Sequence, residues 1–289
     1  MTTSPTETGA REFSFTDEDF RSLASLARSE FGLSLAESKK PLVYSRLARR
    51  LRSRHLSRFQ DYMSLLKNPG EEDERLELIS ALTTNVTSFF REKHHFETLK
   101  QQLVPELKDQ KRIRLWSAGC SSGQEPYSVA MTLMAELPDN AVRNLRILAT
   151  DIDPVIVRKA KAATYPQDDL QSIPLQLRER FTTKTSAQGG QFQIAPEARE
   201  LITFGELNLM ETWPFQGPFD AILCRNVAIY FDQDTQQVLW QRFAEKLRVG
   251  GYLFIGHSER VSGPALELLS TAGVTTYRKI KGPEAPFAN

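Results

Sequence analysis

Arg112-Ile-Arg-Leu-Trp-Ser-Ala-Gly-Cys-Ser-Ser-Gly-Gln-Glu-Pro-Tyr127 reads as a buried strand, a glycine-containing turn and the start of a helix. Ile113, Leu115 and Trp116 supply the strand, Gly119 and Gly123 permit positive φ and a close backbone approach, and Pro126 suits the first turn of a helix carrying Val129, Ala130, Leu133 and Met134. Such an element cradles a nucleotide. This turn, however, lacks a G-x-G-x-x-G and places Glu125 where a pyrophosphate would sit. A carboxylate near a helix N-terminus repels phosphate and favours a ligand carrying positive charge.

Strand-like runs continue on the C-terminal side at Leu145 to Thr150, Leu201 to Phe204, Phe219 to Cys224, Tyr252 to Ile255 and Val274 to Tyr277, separated by helical periodicity. The alternation predicts an α/β fold with a mostly parallel sheet and helices on both faces, and ligands bind such sheets at the carboxyl ends of their strands. The second strand ends in Thr150-Asp-Ile-Asp153-Pro154. Asp151, at its tip, can accept hydrogen bonds from both ribose hydroxyls of a nucleotide, while Asp153 before Pro154 suits a helix N-cap. The interval from Gly123 to Asp151 exceeds the ~20 residues of a dinucleotide fingerprint, which disfavours NAD. S-adenosylmethionine, with its sulfonium and ammonium groups, is the nucleotide that suits Glu125 and Asp151. After the fourth strand, Asn226 can hydrogen-bond a ligand, and Tyr230 can bring its ring face or hydroxyl to the acceptor or sulfonium. A stretch from Thr182 to Ile202, with Gly189-Gly190 and the alternating Gln191-Phe-Gln-Ile194, predicts a small antiparallel insertion.

On the N-terminal side the periodicity is helical. Residues 1–10 are polar and predict a disordered tail. Thr16-Asp-Glu-Asp19 reads as a capping box before Phe20, Leu23, Leu26, Ala27 and Phe31; further helices follow from about Pro41, around Phe59 to Leu66, and through Leu76, Ile79 and Leu82. From Ser38 to Gln60 there are eight Lys or Arg and no acid, although the 289-residue chain carries a net charge of only +1. Arg46, Arg50 and Arg54 recur at i, i+4, with Arg49 beside them, so an acidic partner surface is expected at that helix.

Composition sets further bounds. With 40% apolar residues the chain builds real cores; without a signal-peptide core or an apolar run of about 18 residues it is expected to be cytoplasmic and not inserted in a membrane. Two cysteines, Cys120 and Cys224, imply no disulfide framework, and four histidines without ligand spacing predict no metal. No feature of the sequence calls for an oligomer, so a monomer is expected.

Together, Thr84-Asn-Val-Thr-Ser-Phe-Phe-Arg91, the turn from Trp116 to Tyr127, Ala149-Thr-Asp-Ile-Asp153, Phe219-Asp-Ala-Ile-Leu-Cys-Arg-Asn-Val-Ala-Ile-Tyr-Phe231 and Gly256-His-Ser-Glu259 resemble the CheR family of chemotaxis receptor methyltransferases, in order and spacing from about Phe15 to Lys279. The resemblance implies a Rossmann-like class I methyltransferase sheet, a helical N-terminal domain over 11–90, a methyltransferase domain over 91–289 and a β-subdomain inserted at about 180–204. It implies S-adenosylmethionine contacts from Asn85, Thr87, Arg91, Glu125, Asp151, Asn208, Leu209, Arg225 and Asn226, with Arg91 and Tyr230 nearest the transferring methyl group. The implied reaction esterifies glutamate side chains on the cytoplasmic helices of chemoreceptors and yields S-adenosylhomocysteine, with Arg46, Arg49, Arg50 and Arg54 steering those acidic helices in. In some members the β-subdomain also holds a receptor's C-terminal pentapeptide by strand addition.

Two other classes compete. Amino-methylating nucleic-acid enzymes place Pro-Pro and an aromatic after the corresponding Asn, whereas this chain has Asn226-Val-Ala-Ile-Tyr230, so nucleic acid is not the expected substrate. A non-catalytic S-adenosylmethionine-binding scaffold stays open on sequence alone.

Overall fold

The computed structural model describes residues 12–83, 85–184 and 190–282, in two compact units divided after Thr84. The expected tail at 1–10 and most of the 185–190 loop lie outside the described residues.

The first unit is all helical: α1 (Asp17–Phe31), α2 (Lys40–Ser53), α3 (Phe59–Leu66) and α4 (Glu72–Leu82). Thr16 caps α1 in a reciprocal capping box with Asp19, and Gly32, at φ 71°, ends it in the left-handed conformation. Phe20, Leu23, Val43, Leu47, Leu51, Phe59, Leu66, Leu78 and Ile79 form its buried apolar stripes. The stripe of arginines on α2 faces α4. Arg46 Nη1 donates to the carbonyls of Ala81 and Thr83, at 3.0 and 2.8 Å. Arg50 pairs through two nitrogens with Glu74, at 2.9 and 2.6 Å, and with Glu77 at 2.8 Å. Arg54 pairs with Glu71 at 2.6 Å. The buried Glu74 carboxylate, which also accepts from the Tyr62 hydroxyl, explains the arrangement, since an acid out of water requires a counter-charge.

In the second unit, α5 (Lys93–Thr98) continues through a π-helical turn into α6 (Val104–Leu107), and the chain then alternates. β1 (Ile113–Ala118), α7 (Gln124–Glu136), α8 (Asp139–Asn144), β2 (Leu145–Asp151) and α9 (Pro154–Ala162) are followed by β3 (Thr164–Pro166), α10 (Leu175–Phe181), β4 (Thr182–Lys184), β5 (Gln191–Ile194), α11 (Pro196–Arg199) and β6 (Ile202–Glu206). β7 (Phe219–Cys224), α12 (Gln233–Lys246), β8 (Leu247–Ile255), β9 (Leu269–Gly273) and β10 (Thr276–Lys279) complete it. The seven-stranded sheet has the order β6-β2-β1-β7-β8-β10-β9, with β10 antiparallel to β8 and β9 and the other pairings parallel. The sheet is thus the Rossmann-like one expected. β1 and β7 are apolar or small except at Arg114 and Asp220, whose carboxylate accepts from the Arg114 backbone N–H at 2.8 Å, because helices cover both faces; Trp116 is fully buried there with its indole N–H on the Thr150 hydroxyl at 2.9 Å.

Two details differ from the sequence reading. The C-terminal strand is a β9–β10 pair. The small antiparallel sheet, in the order β3-β5-β4, recruits Thr164–Pro166 from well before the 180–204 stretch, whereas β6 is the large-sheet strand expected at Leu201 to Phe204. Phe89, Tyr165 and Phe192 pack together beneath the small sheet.

Candidate active site

Strand order reverses direction of growth at β1, which has β2 on one side and β7 on the other, and this switch point opens a crevice at the carboxyl ends of the strands. The turn after β1 forms one wall. The Thr150 carbonyl accepts from the backbone N–H groups of Gly119 and Cys120, at 2.8 and 2.9 Å, which folds the turn over β2. Gly119, Ser121 and Gly123 have φ of 83°, 49° and 94°. A Cβ on Gly119 would lie 2.3 Å from a Val227 methyl, so the loop after β7 closes directly on the turn.

Asp151 stands at the tip of β2. Its carboxylate accepts from the backbone N–H of Ser121 at 2.8 Å and of Asp153 at 3.1 Å. Burial pushes its pKa up to about 6, with those two N–H groups opposing the rise. Asp153 caps α9 by accepting from Val155 and Ile156, with Pro154 at the first helical position. The loop after β6 begins beside Asp151, whose carbonyl accepts from Leu207 at 2.9 Å, and it carries the half-buried Asn208 and the buried Leu209.

Glu125 starts α7. One of its oxygens accepts from the Ser117 hydroxyl at 2.6 Å, and the other pairs with Arg225 Nη1 at 3.0 Å. Burial raises its pKa and Arg225 opposes the rise. Arg225 is only 3% exposed and its guanidinium is shared three ways, with Glu125, with Glu92 at 3.4 Å through Nε, and with the Arg91 carbonyl through Nη2. The segment from Asn85 to Glu92 lies along the turn: the Asn85 amide donates to Asp153 at 3.3 Å, its carbonyl accepts from the Ser121 hydroxyl at 3.4 Å, and Phe90 N–H donates to Ser128 at 3.0 Å. Thr87 and Arg91 are half-buried, and Arg91 Nη1 donates to the Val86 carbonyl at 3.1 Å.

The loop after β7 is held by Glu259, which motif reading assigned no role. Its buried carboxylate accepts from the backbone N–H groups of Asn226 (3.1 Å), Ile229 (3.2 Å) and Gly256. Burial raises its pKa against these donors. It thereby fixes Asn226 in a left-handed conformation, φ 60°, and sets the turn Ala228–Tyr230. Phe90 (φ 53°), Glu92 (φ 58°), Ser121 and Asn226 are all non-glycine residues with positive φ around this crevice, a clustering of backbone strain that marks functional sites.

The structure therefore brings Asn85, Glu125, Asp151, Arg225 and Asn226 to one crevice, with Arg91, Thr87, Asn208, Leu209 and Tyr230 on the segments that border it. The four arginines of α2 belong to the other unit. There Arg46, Arg50 and Arg54 serve α4, and Arg49 is exposed and, among the described residues, pairs with no acid. Sequence reasoning missed Glu92, Glu259 and Ser117; Glu259 ends the Gly256-His-Ser-Glu259 motif, whose closing acid was the available signal.

Glu92, His94 and His95 gather donor atoms within 4.8 Å of one another. A tetrahedral zinc site needs about 3.4 Å between donors. Both imidazoles, however, engage the Thr275 hydroxyl at 3.3 and 2.9 Å, and the Arg225 cation already occupies Glu92. It fits a hydrogen-bonded network better than an ion.

The crevice fits S-adenosylmethionine. A turn too tight for a Cβ at Gly119, a carboxylate at the tip of β2 for ribose hydroxyls, and a second acid at the start of α7 suit an adenosine bearing cationic groups rather than a pyrophosphate.

Comparison with known proteins agrees. The family profile "CheR methyltransferase, SAM binding domain" matches residues 85–277, and "CheR methyltransferase, all-alpha domain" matches residues 18–83. A probable chemotaxis protein methyltransferase of Rhizobium etli is 48% identical over 255 residues, covering 86% of this chain and 95% of that one. Chemotaxis protein methyltransferase 2 of Pseudomonas aeruginosa is 41% identical over 93% of this chain and 95% of its own length, and the Escherichia coli chemotaxis protein methyltransferase is 41% identical over 85% of each. The chain belongs to the CheR methyltransferase family and is an S-adenosylmethionine-dependent methyltransferase.

Proposed function

We propose that the enzyme esterifies glutamate side chains on the cytoplasmic helices of chemoreceptors, and that Asn85, Thr87, Arg91, Glu125, Asp151, Asn208, Leu209, Arg225 and Asn226 form its cofactor site. The observation that supports this reading most is the pair of acids, Asp151 and Glu125, facing one crevice at the switch point of the sheet. Asp151 takes the ribose hydroxyls. Glu125, with Arg225 behind it, takes a cationic group. S-adenosylmethionine supplies a methyl group activated by its sulfonium and leaves as S-adenosylhomocysteine.

An acceptor glutamate with a pKa near ~4.3 is already ionised at neutral pH, so its own carboxylate is the nucleophile and the chain need provide no general base. What the residues supply is alignment and a dry site, and orientation alone can contribute on the order of 7 kcal/mol. Arg91 positions the acceptor carboxylate without pairing so tightly that nucleophilicity is lost, and Tyr230 borders the transferring group. Arg91→Ala is expected to lower kcat for receptor methylation by 10²-fold or more, about 3 kcal/mol, while the protein still binds S-adenosylhomocysteine. Full activity in that variant would sink the assignment and favour the scaffold reading.

Arg49, exposed on α2, is the arginine of the four best placed to meet an acidic receptor helix, with the partly exposed Arg54 beside it. The small sheet supports a second contact. β4 pairs only with β5 among the described residues, so its outer main-chain groups are available for strand addition by a receptor-tail pentapeptide. A calorimetric titration with receptor-tail peptides that shows no binding would remove this contact. The enzyme works on the cytoplasmic side as a monomer, and no helix of the described residues is long and apolar enough to cross a membrane. A dimer in sedimentation equilibrium would refute the monomer.

A further inference from the structure

Groups from three segments meet on the Glu92 carboxylate. One oxygen accepts from the His257 backbone N–H at 3.1 Å and lies 3.0 Å from His257 Nδ1; the other lies 3.4 Å from Arg225 Nε and 3.4 Å from His95 Nδ1. Its side chain is 9% exposed, and its backbone takes the left-handed conformation at φ 58° to bring it there. Burial alone would raise the Glu92 pKa, but Arg225 and His257 hold it below the usual carboxylate range. Three of the four histidines in the chain, His94, His95 and His257, lie on or beside this acid.

Arg225 explains why the acid matters. A guanidinium presents a fork that pairs bidentately with one carboxylate when nothing else competes. Here the guanidinium is divided: Nε faces Glu92 and Nη2 donates to the neighbouring Arg91 carbonyl, so residues 91 and 92 together hold that edge and Glu125 receives a single bond, from Nη1. With one further bond from Ser117, each Glu125 oxygen keeps a lone pair for a ligand. Two carboxylates against one guanidinium also leave a net charge of −1, where Arg225 with Glu125 alone would be neutral.

We propose that Glu92 is a positioning residue: it draws Arg225 away from a bidentate pairing with Glu125, and so leaves Glu125 the charge and the free lone pairs with which to receive the cationic cofactor. The inference rests on the reading of Glu125 as a cofactor contact. Through His257, Glu92 also ties the loop after β8 to the segment that carries Arg91.

The test is a double-mutant cycle read by calorimetric titration with S-adenosylmethionine in the absence of receptor. Glu92→Gln and Glu125→Gln are each expected to weaken binding about tenfold. The double variant is expected to bind no more weakly than Glu125→Gln, because Glu92 acts only through Glu125. Glu92→Asp, which keeps the charge but draws the carboxylate back from Arg225 Nε, is expected to weaken binding in the same direction and decides the matter if Glu92→Gln does not fold. Effects that multiply to about a hundredfold in the double variant, or wild-type affinity in Glu92→Gln or Glu92→Asp, would overturn the proposal. Wild-type affinity in Glu125→Gln would refute the underlying reading of Glu125 instead, and the proposal with it.

Discussion

Asp151 carries the clearest pH signature. Its folded pKa, pushed up by burial to about 6, exceeds the ~3.9 of an unfolded aspartate, so between those values the folded state holds the extra proton. Stability contributed by this group is complete below ~3.9 and is lost as pH rises through about 6. Ligand binding runs the opposite way, because ribose hydroxyls donate more strongly to the ionised carboxylate. Affinity for S-adenosylhomocysteine is therefore expected to rise with pH through about 6 and then level off. Buried Glu125 and Glu259 shift in the same direction, so the comparison with Asp151→Asn isolates the group. Calorimetry from pH 5 to 8 should show a flatter profile in that variant, and parallel profiles would contradict the ribose role. Gly119→Ala tests the turn at the same scale: a methyl 2.3 Å from Val227 at a φ of 83° must displace a loop, and we expect a loss of about 1–3 kcal/mol in stability together with loss of cofactor binding. Thermal unfolding and titration of the same sample would check both.

At the scale of elements, α2 carries arginines of two kinds, those that hold α4 and the exposed Arg49 proposed to meet the receptor. Removing Arg50 leaves the buried Glu74 carboxylate with only Tyr62 and a more distant Arg54, at 3.8 Å, so Arg50→Ala is expected to destabilise the protein by roughly 2–4 kcal/mol in urea unfolding. Arg49→Ala should leave stability within about 0.5 kcal/mol and raise the KM for receptor several-fold. An unchanged KM would move the docking surface elsewhere. The sequence showed the charge spacing of α2 but not its partners, because Glu74 and Glu77 lie in a later helix and Glu71 just before it, and only packing reveals that they face the arginines. The apolar runs of β1, β2, β7 and β8 and the capped starts of α1 and α9 were legible, since burial on both faces and cap chemistry both write themselves into residue type. β3 was not: three residues ending in Pro166 have no period to read. Nor was Glu92, whose importance depends on a left-handed backbone and on residues more than a hundred positions away.

For the molecule as a whole, a net charge of +1 conceals local contrasts: an exposed Arg49 on α2, whose other arginines are largely spent on α4, and two largely buried acids, Asp151 and Glu125, at the switch point of the sheet. Under the proposed function each unit meets a ligand of the other sign, an acidic receptor helix at Arg49 and a cationic cofactor at Glu125. Docking by exposed arginines should weaken with salt, so the KM for receptor is expected to rise several-fold between low and physiological ionic strength while affinity for S-adenosylhomocysteine changes little. The most direct test of the whole account is transfer of radiolabelled methyl from S-adenosylmethionine to chemoreceptor-containing membranes, with free nucleic acid as a parallel acceptor. Label on the receptor that mild base releases as methanol is the predicted result. Label on nucleic acid, or no transfer from a protein that binds the cofactor, would contradict it.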